Sequence, residues 1–106
     1  MVKVVWTPSA RQDVESIFHY YDKLSHRIAK ALVIELLDAA RRLQLMPEMG
    51  PKEPILEFLH RNYRYVLVRR HYKLIYLYER QICSILMVWD CRQNPSLMEQ
   101  SDRFEH

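Results

Sequence analysis

The sequence predicts an α+β domain in the order β-α-α-β-β-β-β, with a helical hairpin packed on an antiparallel sheet, and three observations carry that prediction. Two successive stretches in the first half repeat apolar residues at helical spacing. From residue 55 onward, runs of aromatic and branched residues alternate with short polar gaps, as in consecutive antiparallel hairpins. A length of 106 residues, 49% of them hydrophobic and 27% charged, suits one packed core and leaves no room for a separate cofactor module.

Each element has a local reason. Val2, Val4 and Trp6 alternate with Lys3 and Val5 in a short opening strand. Thr7 then supplies a helix N-cap and Pro8 occupies the first helical position, where its missing N–H costs nothing. Ala10, Val14, Ile17, Phe18, Tyr21 and Leu24 mark one face of the first helix. After a polar break at residues 23–27, Ala29, Leu32, Val33, Leu36, Leu37, Ala40 and Leu43 repeat the pattern in a longer one. Pro47 and Pro51 stop it, and Gly50, the single glycine of the chain, is a natural left-handed residue after a helix end. Residues 55–59, 63–68, 72–78 and 82–90 read as four strands. In the last two, both residue parities are apolar, which predicts strands covered on both faces, although the helical hairpin can cover only one. The domain is expected over residues 1–95, with 96–106 a short polar tail or short helix; Glu105-His106 also suits a vector remnant.

Composition narrows the chemistry. One glycine excludes phosphate-cradling Gly-rich loops, so no nucleotide cofactor is expected. His60, His71, Cys83, Asp90 and Cys91 show neither HxxxH nor CxxC spacing, so no metal is expected, and Cys83 and Cys91 read as reduced fillers in a cytosolic protein. Asp90 beside Cys91 disfavours a thiolate nucleophile. The longest apolar run, residues 85–89, is far short of a membrane span, and the first residues lack signal-peptide anatomy, so a cytoplasmic location is expected.

The charge is more informative by position than by its net value of +3. Residues 1–58 carry eight Lys/Arg against eight Asp/Glu, whereas 59–106 carry eight against five. Arg61, Arg64, Arg69, Arg70 and Lys73 follow one another without an intervening acid, interleaved with Tyr63, Tyr65 and Tyr72 and followed by Tyr76 and Tyr78. Such a surface grips phosphates, stacks on bases or attracts an acidic protein; a solvated charged rim with core tyrosines is the plain alternative. If Tyr72, Tyr76 and Tyr78 point inward, Lys73 faces away from the helices, where Arg64 and Arg92 from other strands are expected to converge on it as a phosphate site.

The order of elements and four local strings resemble the RelE/ParE superfamily of bacterial toxins across roughly residues 2–95. These strings are Val5-Trp6-Thr7-Pro8-Ser9-Ala10, Leu45-Met46-Pro47-Glu48-Met49-Gly50, Tyr72-Lys73-Leu74-Ile75-Tyr76, and Val88-Trp89-Asp90-Cys91-Arg92-Gln93-Asn94-Pro95. The resemblance implies the toxin of a type II toxin-antitoxin system, associated with growth arrest and plasmid stabilization. RelE-like members cleave mRNA on the ribosome, with basic residues stabilising the phosphorane-like transition state. By position that role falls to Arg64, Lys73 and Arg92. ParE-like members poison DNA gyrase and need no such set. Here Val66 stands where a second lysine occurs, and Gln93-Asn94-Pro95 stand where a Tyr or His acid/base belongs; no Tyr or His follows before His106. Loss of a general acid would cost about 10²- to 10⁴-fold in cleavage, which favours the ParE-like reading and leaves enzymatic activity open. A third alternative is an interaction module of the same fold without activity. Both toxin mechanisms imply a cognate acidic antitoxin, encoded adjacently, that meets Arg61, Arg64, Arg69, Arg70, Lys73 and Arg92 by adding a strand or laying a helix on a free apolar sheet face.

Overall fold

The computed structural model describes residues 1–104. Its elements are β1 (Lys3–Trp6), α1 (Pro8–Asp22), α2 (His26–Arg42), a 3-10 helix (Pro54–Leu59), β2 (Tyr63–Val68), β3 (Tyr72–Glu79), β4 (Ile82–Asp90) and α3 (Ser96–Glu99). The strands form one sheet in the order β1-β4-β3-β2; β2, β3 and β4 are antiparallel neighbours, and β1 runs parallel to β4. The α+β architecture is as expected, with four strands where five were predicted.

The difference lies in residues 55–59, which coil. The Glu53 carboxylate caps the turn by accepting from Ile55 N at 3.3 Å, Pro54 takes the first position, and Leu56 N donates to Glu53 O. Apolar Leu56 and Leu59 then point inward at a spacing of three while Phe58 stays exposed. His60, at φ 54°, ends the turn.

The helices start where the sequence places them. Thr7 accepts from Ala10 N at 3.2 Å and Ser25 from Ile28 N at 3.3 Å, each capping a free helical N–H. Leu32, Leu36, Ala39, Ala40 and Leu43 of the α2 region pack onto Val66, Val68, Leu74, Tyr76, Cys83 and Ile85. Each fully buried leucine contributes about 1.5–3 kcal/mol relative to exposure, so this seam dominates the core.

The opposite sheet face is covered too. Leu56 from the 3-10 helix and Met98 and Phe104 from the C-terminal segment close over Tyr63, Ile75, Met87 and Trp89. Residues 96–104 are therefore a docked strap that includes the short helix α3, and among the described residues no broad apolar sheet face is left free, contrary to the expectation of one. Glu105 and His106 lie outside the described residues. The two-sided burial of β4 has a specific cause. The β3–β4 register passes from Ile75↔Met87 to Tyr76↔Ile85, leaving Leu86 unpaired as a bulge. Across it the side-chain alternation inverts, so Cys83 and Ile85 face the helices whereas Met87 and Trp89 face the strap.

Gly50 serves a different purpose from the one predicted. No glycine has a positive φ; a Cβ at Gly50 would lie 2.1 Å from the Tyr65 carbonyl oxygen, so the residue is small because its backbone presses on β2. The fully buried Tyr76 holds this approach: its hydroxyl donates to Pro47 O at 2.7 Å and accepts from Gly50 N at 3.2 Å. Tyr76→Phe strands both backbone groups, and we expect a loss of about 1–3 kcal/mol, read by urea denaturation. An unchanged midpoint would show that water replaces the hydroxyl.

Candidate functional site

The cationic run is acid-free along the chain but not in space. Arg61 pairs with Glu79, donating from Nε at 3.0 Å. Arg64 donates to Asn62 Oδ1 at 2.9 Å, to Gly50 O at 2.7 Å and to Glu48 Oε2 at 3.2 Å. Arg69 grips Glu35 of α2. Lys73 Nζ lies 2.9 Å from Glu53 Oε2 and 4.2 Å from the centroid of the Tyr65 ring. Arg92 folds back on Asp90 through two hydrogen bonds of 2.9 Å. Of these six cations, Arg70, exposed at the β2–β3 turn with φ 79°, is the one whose side chain makes no ion pair or hydrogen bond with the described residues.

Nor do Arg64, Lys73 and Arg92 converge. Arg64 lies opposite Tyr76, whose side chain is in the helix-side core, so Arg64 sits on the face beneath the α2 exit. Lys73 lies opposite Trp89, on the strap side. Arg92 follows β4 and lines a groove of about 610 Å³ with Ser16, Ile17, Tyr20 and Tyr72. The predicted three-cation phosphate site is not assembled, because Arg64 and Lys73 have opposite parity on adjacent strands.

The electrostatics are those of matched pairs. Hydrogen bonds from Arg69, Arg61 and Arg92 hold the Glu35, Glu79 and Asp90 carboxyls below their ordinary values of 4.5, 4.5 and 3.8. Carboxyls lowered on folding contribute stability that is complete above the unfolded pKa and lost as pH falls through the folded one. We therefore expect the melting temperature to drop on acidification below about pH 4.5, and less steeply in Glu35→Gln/Glu79→Gln. Glu35 and Glu79 are each more than a third exposed, so solvent screens these pairs and the slope is shallow. A melting temperature flat through that window would show the pairs to be absent in solution.

Burial raises both thiols, Cys83 to about 11, so neither is a ready thiolate nucleophile. Among the described residues no three His, Cys, Asp or Glu side chains gather as metal ligands, and no helix is long and apolar enough to cross a membrane. Sequence reasoning missed three side chains that the fold makes central. Glu53 is the one buried charged residue among those described, and its signal was the Glu-Pro pair that opens the 3-10 turn. Asp13 and Arg103 form a bidentate pair at 2.6 and 2.9 Å across 90 residues, which no local pattern announces.

The fold defines a class: a small α+β domain with a helical hairpin against a mostly antiparallel sheet, also seen in a chain of the solved "Chromosomal ParDE TA system from P. aeruginosa". That chain is similar at a TM-score of 0.67 and 19% identity, over 85% of this chain and 96% of its own. The family described as "ParE toxin of type II toxin-antitoxin system, parDE" matches residues 4–95, and the chain belongs to that family. No curated protein matches it.

Proposed function

We propose that the chain is a growth-arresting toxin that acts in the cytoplasm on DNA gyrase, as the ParE-like resemblance implies, and is silenced by an acidic antitoxin encoded beside it. The observation favouring gyrase over mRNA cleavage is the disposition of the cations that cleavage would need. Lys73 is neutralised by a buried carboxylate, Arg64 lies on the other sheet face, and Arg92 stands apart from both, in the groove beside α1. Gln93-Asn94-Pro95 offer no acid or base in their place. An acidic antitoxin is supported by Arg70 and by the exposed Arg69–Glu35 pair, since surface pairs are weak enough for incoming carboxylates to exchange. The similar P. aeruginosa chain belongs to a ParDE toxin-antitoxin system, which also supports such a partner.

The test is induction in bacteria with two parallel readouts, gyrase supercoiling in vitro and mRNA cleavage in ribosome profiles. Growth arrest with blocked supercoiling and intact mRNA is expected. Cleaved mRNA with normal supercoiling would transfer the protein to the RelE-like mechanism, and harmless expression of a folded, monodisperse chain would end the toxin reading.

A further inference from the structure

β1 pairs with β4 only as far as Trp6↔Ile85, because Thr7 caps α1 and Pro8 turns the chain away. β4 continues to Asp90, so among the described residues its edge beyond Ile85 has no neighbouring strand. The Leu86 bulge turns Leu86 C=O and Val88 N–H outward at that edge. Both are satisfied by side chains: Asp13 Oδ2 accepts from Val88 N at 2.9 Å, and Arg103 donates to Leu86 O at 3.1 Å while holding Asp13. An acceptor at residue 88 and a donor at residue 86 are what one residue of a parallel neighbouring strand would provide. Asp13 and Arg103 therefore imitate a strand that is not there. The groove of about 610 Å³ runs beside them, with Ile17, Tyr20 and Tyr72 on its wall, a size in the range of peptide and ligand clefts.

We propose that the β4 edge from Leu86 to Asp90 is a docking site for an extended peptide strand of a partner polypeptide, and that the Asp13–Arg103 pair is the plug such a strand displaces. Open edges are natural templates for added strands, and natural proteins protect them with charged side chains. Here the protection consists of side chains alone: Arg103 sits on the strap and Asp13 on α1, so both can turn from the edge without unpairing the sheet. The occupant contributes backbone hydrogen bonds to Leu86 and Val88, and alternate apolar side chains to the Ile17, Tyr20 and Tyr72 wall. Its recognition is main-chain and apolar, which distinguishes this site from the cationic surface on which an acidic segment is expected.

The probe is a capped peptide of the chain's own residues 2–7, the sequence that already lies parallel to β4, titrated into the full 15N-labelled chain. Arg103→Ala is expected to bind it at least about tenfold more tightly than the unsubstituted chain, with the Val88 amide among the most shifted and its protection from exchange rising on binding. Asp13→Asn, which keeps an acceptor for Val88 but weakens the pair, serves if Arg103→Ala does not fold, and should show the same direction. Equal affinity with and without the plug, no binding to either, or shifts confined to the outer edge of β2 near Leu67 would overturn the proposal. The readout involves neither gyrase nor mRNA, so its failure and that of the toxin reading are separable.

Discussion

Gly50→Ala is expected to destabilise the domain by about 3 kcal/mol, the upper end for inserting a methyl into a packed interior. The added Cβ would stand 2.1 Å from Tyr65 O and 2.9 Å from its carbonyl carbon, with Tyr76 Oη at 3.1 Å. The obstacles are backbone, and the backbone is held from both sides. Tyr65 is paired with Ile75 across the sheet, while its N–H donates to Pro51 O at 3.1 Å and Glu53 N donates to Tyr63 O at 2.9 Å. Relief requires lifting residues 50–53 off β2, which would loosen the Tyr76 hydroxyl bridge and the Glu53 cap together. Since Gly50 has no positive φ, alanine is conformationally acceptable there and the variant isolates the contact. For a domain of about this size, each kcal/mol moves the melting temperature by roughly 4–8 °C, so a fall of about 12–24 °C is expected by circular dichroism. A fall of only a few degrees would mean that the α2 exit does not lie against β2.

The same segment shows which parts of the fold were legible in the sequence. Helix starts and hairpins are local: Thr7-Pro8, the apolar spacing through Leu43 and the short gaps between strands are read within a few residues, and the structure bears them out. Residues 55–59 misled because a five-residue apolar run fits a strand or a helical turn equally well, and only Glu53-Pro54 separates the two. Parity predicted the two-sided cover of the last two strands, but not which face each residue of β4 takes. The Leu86 bulge inverts the alternation of β4, so residues on either side of it cannot be assigned to faces from one phase. The cationic surface was visible as a run, but its counterions were not. Glu48, Glu79, Glu53 and Glu35 reach their partners across 16, 18, 20 and 34 residues. A pattern of charge along the chain therefore overstated the free charge on the surface.

That lesson is sharpest at Lys73, where Lys73→Met is expected to cost about 3–5 kcal/mol, the range for breaking a buried pair by removing one partner. The Glu53 side chain is fully buried and Lys73 is 22% exposed, so the loss falls on the carboxylate, left without a cation in a site that water does not reach. Glu53→Gln alone should cost less, because the ammonium can extend toward solvent along the Tyr65 ring. In Lys73→Met/Glu53→Gln most of the stability should return, as the double variant leaves no buried charge. The cycle is read by urea denaturation, and additive single costs would show the two groups to be independent. The double variant also bears on mechanism: it restores the fold without the strap-side cation that cleavage would use. Toxicity and supercoiling inhibition that persist in it would place the poison elsewhere on the molecule. Toxicity lost from a chain that melts normally would return Lys73 to the reacting phosphate and sink the gyrase reading.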